Sequence, residues 1–149
     1  MALLLPGNEW PRLVGLWDMP QGPAGGVAAG DVVGLVKRLG PVKLAVLEAV
    51  GASPGAGTGS SFAFGRAYGI VEAALYAAGI TPRMVPPAVW KASYGLPGGP
   101  AGKVAARALA RQLLGDQAGT WFDHVKDDGR AEAVLLAWWG LRHGMGLRT

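Results

Sequence analysis

The sequence predicts an α/β domain, and three observations carry the prediction. Short apolar runs bounded by glycine and proline alternate with longer stretches of helical character. One run, KLAVLEAV over Lys43–Val50, is almost continuously apolar, as in a strand covered on both faces. The chain has 149 residues, half of them hydrophobic, which suits a single domain over residues 1–149 that buries roughly two thirds of its unfolded surface.

The elements follow in order. Ala2–Leu5 and Leu13–Trp17 are short apolar runs joined by PGNEWP, the punctuation of an antiparallel hairpin. After QGPAGG, Asp31 is placed to cap a helix through Val32, Val33, Leu35, Val36 and Leu39, which Gly40 and Pro41 terminate. The Lys43–Val50 strand leads into a glycine-rich loop. Ser60 or Ser61 then caps a long helix reaching Ala78, with Gly79 as its stop. A short strand over Arg83–Val85 precedes a brief helix opened by Pro86 and Pro87 and containing Trp90. PGGP breaks the chain before a helix over Lys103–Leu114. The last helix starts near Asp128 and runs to about Leu141.

Composition narrows the function. With no cysteine there are no disulfides or thiolate metal sites, so carboxylates and two histidines are the available ligands and a hard, oxygen-liking cation is the metal they suit. No apolar run approaches the roughly 20 residues that span a bilayer, and MALLLPG is too short and uncharged for a signal peptide, so the expectation is a cytoplasmic chain with no membrane partner. A net charge of +4 suits a phosphate-rich partner.

The glycine loop after Glu48 fails as a phosphate cradle. A P-loop needs G-x-x-x-x-G-K-[ST], and no lysine occurs from Gly51 to Ala63. Glu48 is the more informative residue, because an ionised carboxylate at the end of KLAVLEAV is costly to bury without a cation; it is either a strand end reaching water or a metal ligand. DDGRAEAVLLAWWG is apolar around most of a helix, which puts Glu132 in a costly setting too. Asp128 lies four residues earlier, so both side chains point toward one spot. A capping box starting at Asp128 would need its acid at position 131, which is alanine. Acids gathered this way repel unless protonated or bridged, and Mg²⁺ or Mn²⁺ is the natural bridge. Lys103, Arg107 and Arg111 recur every four residues as a basic stripe, and with Arg66, Lys91, Lys126 and Arg130 they form either a solvated face or a track for a DNA backbone.

Four segments in this order, LEAVGA, FAFGRAYGIVEAAL, VPPAVWKASYGL and VKDDGRAEAVLLAWWG, resemble the RuvC-like Holliday junction resolvases, especially the short phage and prophage forms. The likeness runs from Trp17 onward. It implies a ribonuclease H-like fold, a five-stranded mixed sheet flanked by helices, in which four acids hold two divalent cations, Mg²⁺ or Mn²⁺. It further implies a homodimer that binds four-way DNA junctions and nicks opposing strands symmetrically, in the cytoplasm of a host cell for a phage protein. Carried over by position, Glu48 matches the acid of the fourth strand and Glu132 the final acid of the last helix. Asp128 matches the acid one turn earlier, with Asp127 as its substitute. Arg66 and Gly69 fall in the FGR-x-YG helix of the dimer contact, and Lys91 in VWK is placed for a phosphate.

The chain departs from that family at its start. The strand ending I-D-P-G, whose aspartate is the central ligand, has no counterpart: ALLL aligns with the second strand, or LLLPG aligns with the first and puts Leu5 at the aspartate position. The first strand is therefore missing or altered. A start upstream, a local rearrangement or a dimer partner would each compensate for the unpaired backbone. The alternatives to a resolvase are a catalytically silent dimer that binds branched DNA, and another ribonuclease H-like nuclease.

Overall fold

The computed structural model describes residues 1–7, 11–23, 25–51 and 55–144. It is a mixed α/β structure with five α-helices. Two compact units divide it, one formed by Met1–Asp18 with Val85–Thr149 and the other by Met19–Met84. Among the described residues, no helix is long and apolar enough to cross a membrane.

In the first unit, β1 (Ala2–Leu5) and β2 (Arg12–Leu16) form the expected hairpin, although part of its PGNEWP connection lies outside the described residues. They pair antiparallel from Ala2 opposite Leu16 to Leu5 opposite Arg12. The register slips between Leu3 and Leu4, so Val14 is the extra residue of a bulge and stands half exposed. Leu4 and Leu16 face inward, and β1 packs on α5 (Asp128–Gly144). The burial of α5 follows its sequence: Ala131, Val134, Leu135, Trp138, Trp139 and Leu141 are all inside. Burying such side chains stabilises the fold by about 1.5–3 kcal/mol each for the large ones.

Helix α4 (Gly99–Leu114) packs against α5 through Ala106, Ala110, Leu113 and Leu114. It begins four residues earlier than the expected start at Lys103. PGGP does not break the chain here. Its second half forms the first turn, because proline is tolerated where the helical N–H has no partner. The same turn requires glycine at position 102, where an added Cβ would lie 2.0 Å from the carbonyl oxygen of Pro97. Helix α3 (Pro87–Ser93) is opened by Pro86 and Pro87 and buries Trp90, as expected.

In the second unit, α1 (Ala29–Arg38) packs against α2 (Thr58–Ala77) through Val32, Leu35 and Val36. Asp31 does not cap α1. The capping position is Ala28, and Asp31 falls in the first turn, where its charge still complements the helix dipole. Ser60 and Ser61 likewise lie inside α2, whose capping residue is Gly57. The stop at Gly79 is as expected: at φ +74 its N–H donates to the Tyr76 carbonyl while Ile80 N–H reaches Leu75, a Schellman closure that favours glycine.

The Lys43–Val50 strand is shorter than its apolar run. Only Val46–Glu48 form β3, all three half-buried, paired in parallel with β4 (Arg83–Val85). Strand length is set by the partner, and β4 has three residues. Among the described residues, four strands form two pairs, and a five-stranded sheet would require further pairing.

Candidate metal and nucleic-acid site

The acids of DDGRAE sit where a 3₁₀ turn over Val125–Asp127 passes into α5. Asp127 is 1% exposed, and its burial is compensated on both oxygens. Oδ2 accepts the His124 backbone N–H at 2.8 Å, closing the turn, and Oδ1 accepts Arg130 Nη1 at 3.0 Å. Asp127 is thus the capping acid at this helix entry, a role the sequence analysis weighed for Asp128.

Arg130 makes three charged contacts. Beyond Asp127, its Nε and Nη2 donate to the two oxygens of Asp18 at 2.8 and 2.5 Å, a bidentate pair, and the guanidinium lies 5.4 Å from the Trp121 ring centroid. The hydrogen bond from Arg130 holds the Asp18 carboxyl below its ordinary pKa, against a smaller opposing effect of burial. The same bond raises the Arg130 pKa. This ties the end of β2 to the first turn of α5, a contact between residues 112 apart that no spacing in the sequence announces.

Asp128 begins α5 and turns toward α4. Arg107 Nη1 forms a very short ion pair with its Oδ1, and Lys103 Nζ lies 3.5 Å from its Oδ2. One turn on, Glu132 Oε1 accepts Lys91 Nζ of α3 at 2.7 Å, with the ammonium 5.1 Å from the Trp90 ring centroid. Arg111 pairs with Asp123 at 2.5 Å. The basic stripe Lys103, Arg107 and Arg111 therefore faces carboxylates. Acids and bases that the sequence analysis assigned to separate roles pair with one another in four groups, Lys91 with Glu132, Lys103 and Arg107 with Asp128, Arg111 with Asp123, and Arg130 with Asp18 and Asp127, so lysine and arginine supply the positive charge the acids need.

The other predicted residues are Lys126 in the first unit and Arg66 and Glu48 in the second. Lys126 is exposed in the 3₁₀ turn and contributes a weak field at Asp18. Arg66 is exposed on α2. Glu48, half-buried at the end of β3, belongs to the second unit, where it and Glu72 stand near Tyr68. Burial first, and then these two carboxylates, raise the Tyr68 phenol's pKa. Sequence reasoning overlooked Glu72 and Asp123. The loop after Glu48 lies partly outside the described residues.

Asp128 and Glu132 carry oxygen donors one helical turn apart, a donor type suited to a hard divalent ion, and each already has a cationic group beside it. Among the described residues, no three acidic or histidine side chains converge to hold a metal by themselves. The chain matches no protein-family model, and no curated protein matches it.

Proposed function

We propose that this chain is a subunit of a RuvC-like junction-resolving endonuclease with a ribonuclease H-like architecture, dependent on Mg²⁺ or Mn²⁺. The observation that carries the reading is the Lys91–Glu132 pair, which joins two of the four ordered motifs, VWK and DDGRAE, at 2.7 Å. Asp128 and Glu132 would hold the ion, and the family resemblance adds Glu48. Asp127 is left out of the set because both its oxygens are committed to His124 and Arg130. When bound, a divalent ion would supply activation of water and offset charge developing on the phosphate.

The chain's own residues do the rest. Asp127 and Arg130 hold the first turn of α5, so that Asp128 and Glu132 are presented on one side. Lys91, Lys103 and Arg107 bring positive charge to the same edge, where a DNA backbone would approach. Helix α2 leaves Phe64 half exposed, its ring 6.4 Å from that of Tyr68 one turn on, with Phe62 exposed on another side of the helix, and the family resemblance places this helix in the homodimer contact.

A labelled four-way junction, incubated with and without Mg²⁺, tests the reading. Symmetric nicks that need the ion support it, whereas a chain that cuts equally well after Glu132→Gln does not use this site. A second reading, a silent branched-DNA-binding dimer, is favoured by one observation: Asp128 and Glu132 are already neutralised by side chains. Binding without products would select it.

A further inference from the structure

The cations of the two units keep different company. In the first unit, Lys91, Lys103, Arg107, Arg111 and Arg130 each pair with a carboxylate. In the second, Lys37, Arg38 and Lys43 fall together where α1 ends and the chain turns toward β3. No acidic residue occurs from Val32 to Leu47, so this stretch carries a charge of +3. All three cations are exposed, and among the described residues none of them forms an ion pair. The dipole of α1 accounts for part of the placement, but its C-terminal end is worth only about half an elementary charge, so most of the positive charge is left over. Lys37 also lines a hollow of about 280 Å³ between the ends of α1 and α2, walled by Val36, Pro41, Val42, Ala78 and Ile80. A concavity with apolar walls and charge of one sign focuses the field and gathers anions. No large apolar side chain between residues 25 and 51 is exposed, so the patch has the charge for an anionic partner but nothing to enter a lipid layer, as an interfacial helix has. A nucleic-acid backbone, with its regular row of phosphates, is the partner this patch fits.

We infer that Lys37, Arg38 and Lys43 form a phosphate-contacting surface for nucleic acid, built by a different unit from the one that carries the α5 acids. The inference rests on the proposed function for its DNA substrate and adds a place where the backbone is held. Its physical basis is exchange. A lysine or arginine already on a carboxylate gives up one anion to gain another, whereas these three give up only water. Each phosphate they neutralise releases counter-ions condensed on the DNA, so their contribution is read directly in the salt dependence of binding.

The test uses the full chain without divalent ions, fluorescence anisotropy over a salt series, and two labelled probes, a four-way junction and a linear duplex. Lys37→Gln, Arg38→Gln and Lys43→Gln should each reduce the logarithmic salt slope by about 0.9 and, at about 0.15 M salt, weaken binding about fivefold. The triple variant should lose roughly 2.7 from the slope and bind roughly a hundredfold less tightly, on both probes, because both carry the same phosphates. Arg12→Gln removes an exposed cation of β2 in the first unit, makes the same change in net charge as one patch substitution, and should leave the slope nearly unchanged. Circular dichroism verifies that each variant is folded, and Lys43→Gln, outside α1, leaves the last turn of that helix intact. A wild-type slope in the triple variant, or an equal loss with Arg12→Gln, overturns the inference while leaving the proposed function standing. Binding that depends on the three cations, by a chain that makes no Mg²⁺-dependent nicks, sustains the inference and overturns the nuclease reading. Binding to phosphatidylserine vesicles that the triple variant loses, with no binding to either DNA, overturns both.

Discussion

Lys91 in α3 and Glu132 in α5, 41 residues apart, are joined by an ion pair of 2.7 Å at an edge where both side chains are about one-third exposed. Such a pair is worth little as a fastening. A double-mutant cycle on thermal or urea unfolding should return a coupling energy below about 1 kcal/mol. Function should respond far more than stability. Glu132→Gln is expected to abolish junction cleavage while leaving junction binding largely intact, as read from product gels and anisotropy side by side.

Asp127 should behave in the opposite way. It is inaccessible to water and serves two donors, the His124 N–H and Arg130, so Asp127→Ala leaves a buried backbone donor and part of a guanidinium without their acceptor. The expected cost is about 3 kcal/mol in urea unfolding. A cost under about 1 kcal/mol would mean that the turn before α5 is held by something else.

Acid should loosen the junction between β2 and α5. The Asp18 carboxyl is held below its ordinary value near 3.8 by Arg130, so its folded pKa lies under its unfolded one. Its contribution is complete above pH 3.8 and is lost as pH falls through the lower folded value. Because Asp18 is 66% exposed, the effect is small. Asp18→Asn should flatten the acid limb of a stability-versus-pH curve and leave it unchanged near neutrality.

Alkali acts on Tyr94. Burial pushes its phenol above the ordinary value of 10, and the O–H donates to the Leu135 carbonyl at 3.0 Å. With the folded pKa raised, this contribution is intact below pH 10 and is lost as pH rises toward the folded value. Tyr94→Phe should cost about 1 kcal/mol at neutral pH. The same substitution should reduce the loss of stability above pH 10 in the unfolding curves.

The exposed side of α2 makes a prediction about assembly. If the Phe64 side of the helix forms the proposed self-contact, Phe64→Asp should shift sedimentation from dimer to monomer without changing the far-ultraviolet spectrum. A wild-type chain that sediments as a monomer at high concentration would remove α2 from the dimer proposal.

Several elements were legible along the chain because their causes are local. Arg83–Val85 was bounded by proline on both sides, and α2 stopped at a glycine suited to positive φ. Alanine, leucine and tryptophan on nearly every side of α5 announced its burial. Other limits were not legible, because they depend on a partner. The apolar run Lys43–Val50 looked like a long strand, but β3 extends only as far as β4 accompanies it. Helix α4 reached back into PGGP because Gly102 permits a close approach to Pro97.

The candidate site divides in the same manner. By itself the sequence determined which acids share one side of α5, since spacing of four residues on a helix makes neighbours whatever surrounds it, and it determined that α4 carries a basic stripe. Only the tertiary structure decided what neutralises those acids. Coulomb energy depends on separation in space, so Lys91, Lys103, Arg107 and Arg130 acquired their partners when α3, α4 and β2 were brought to the first turns of α5.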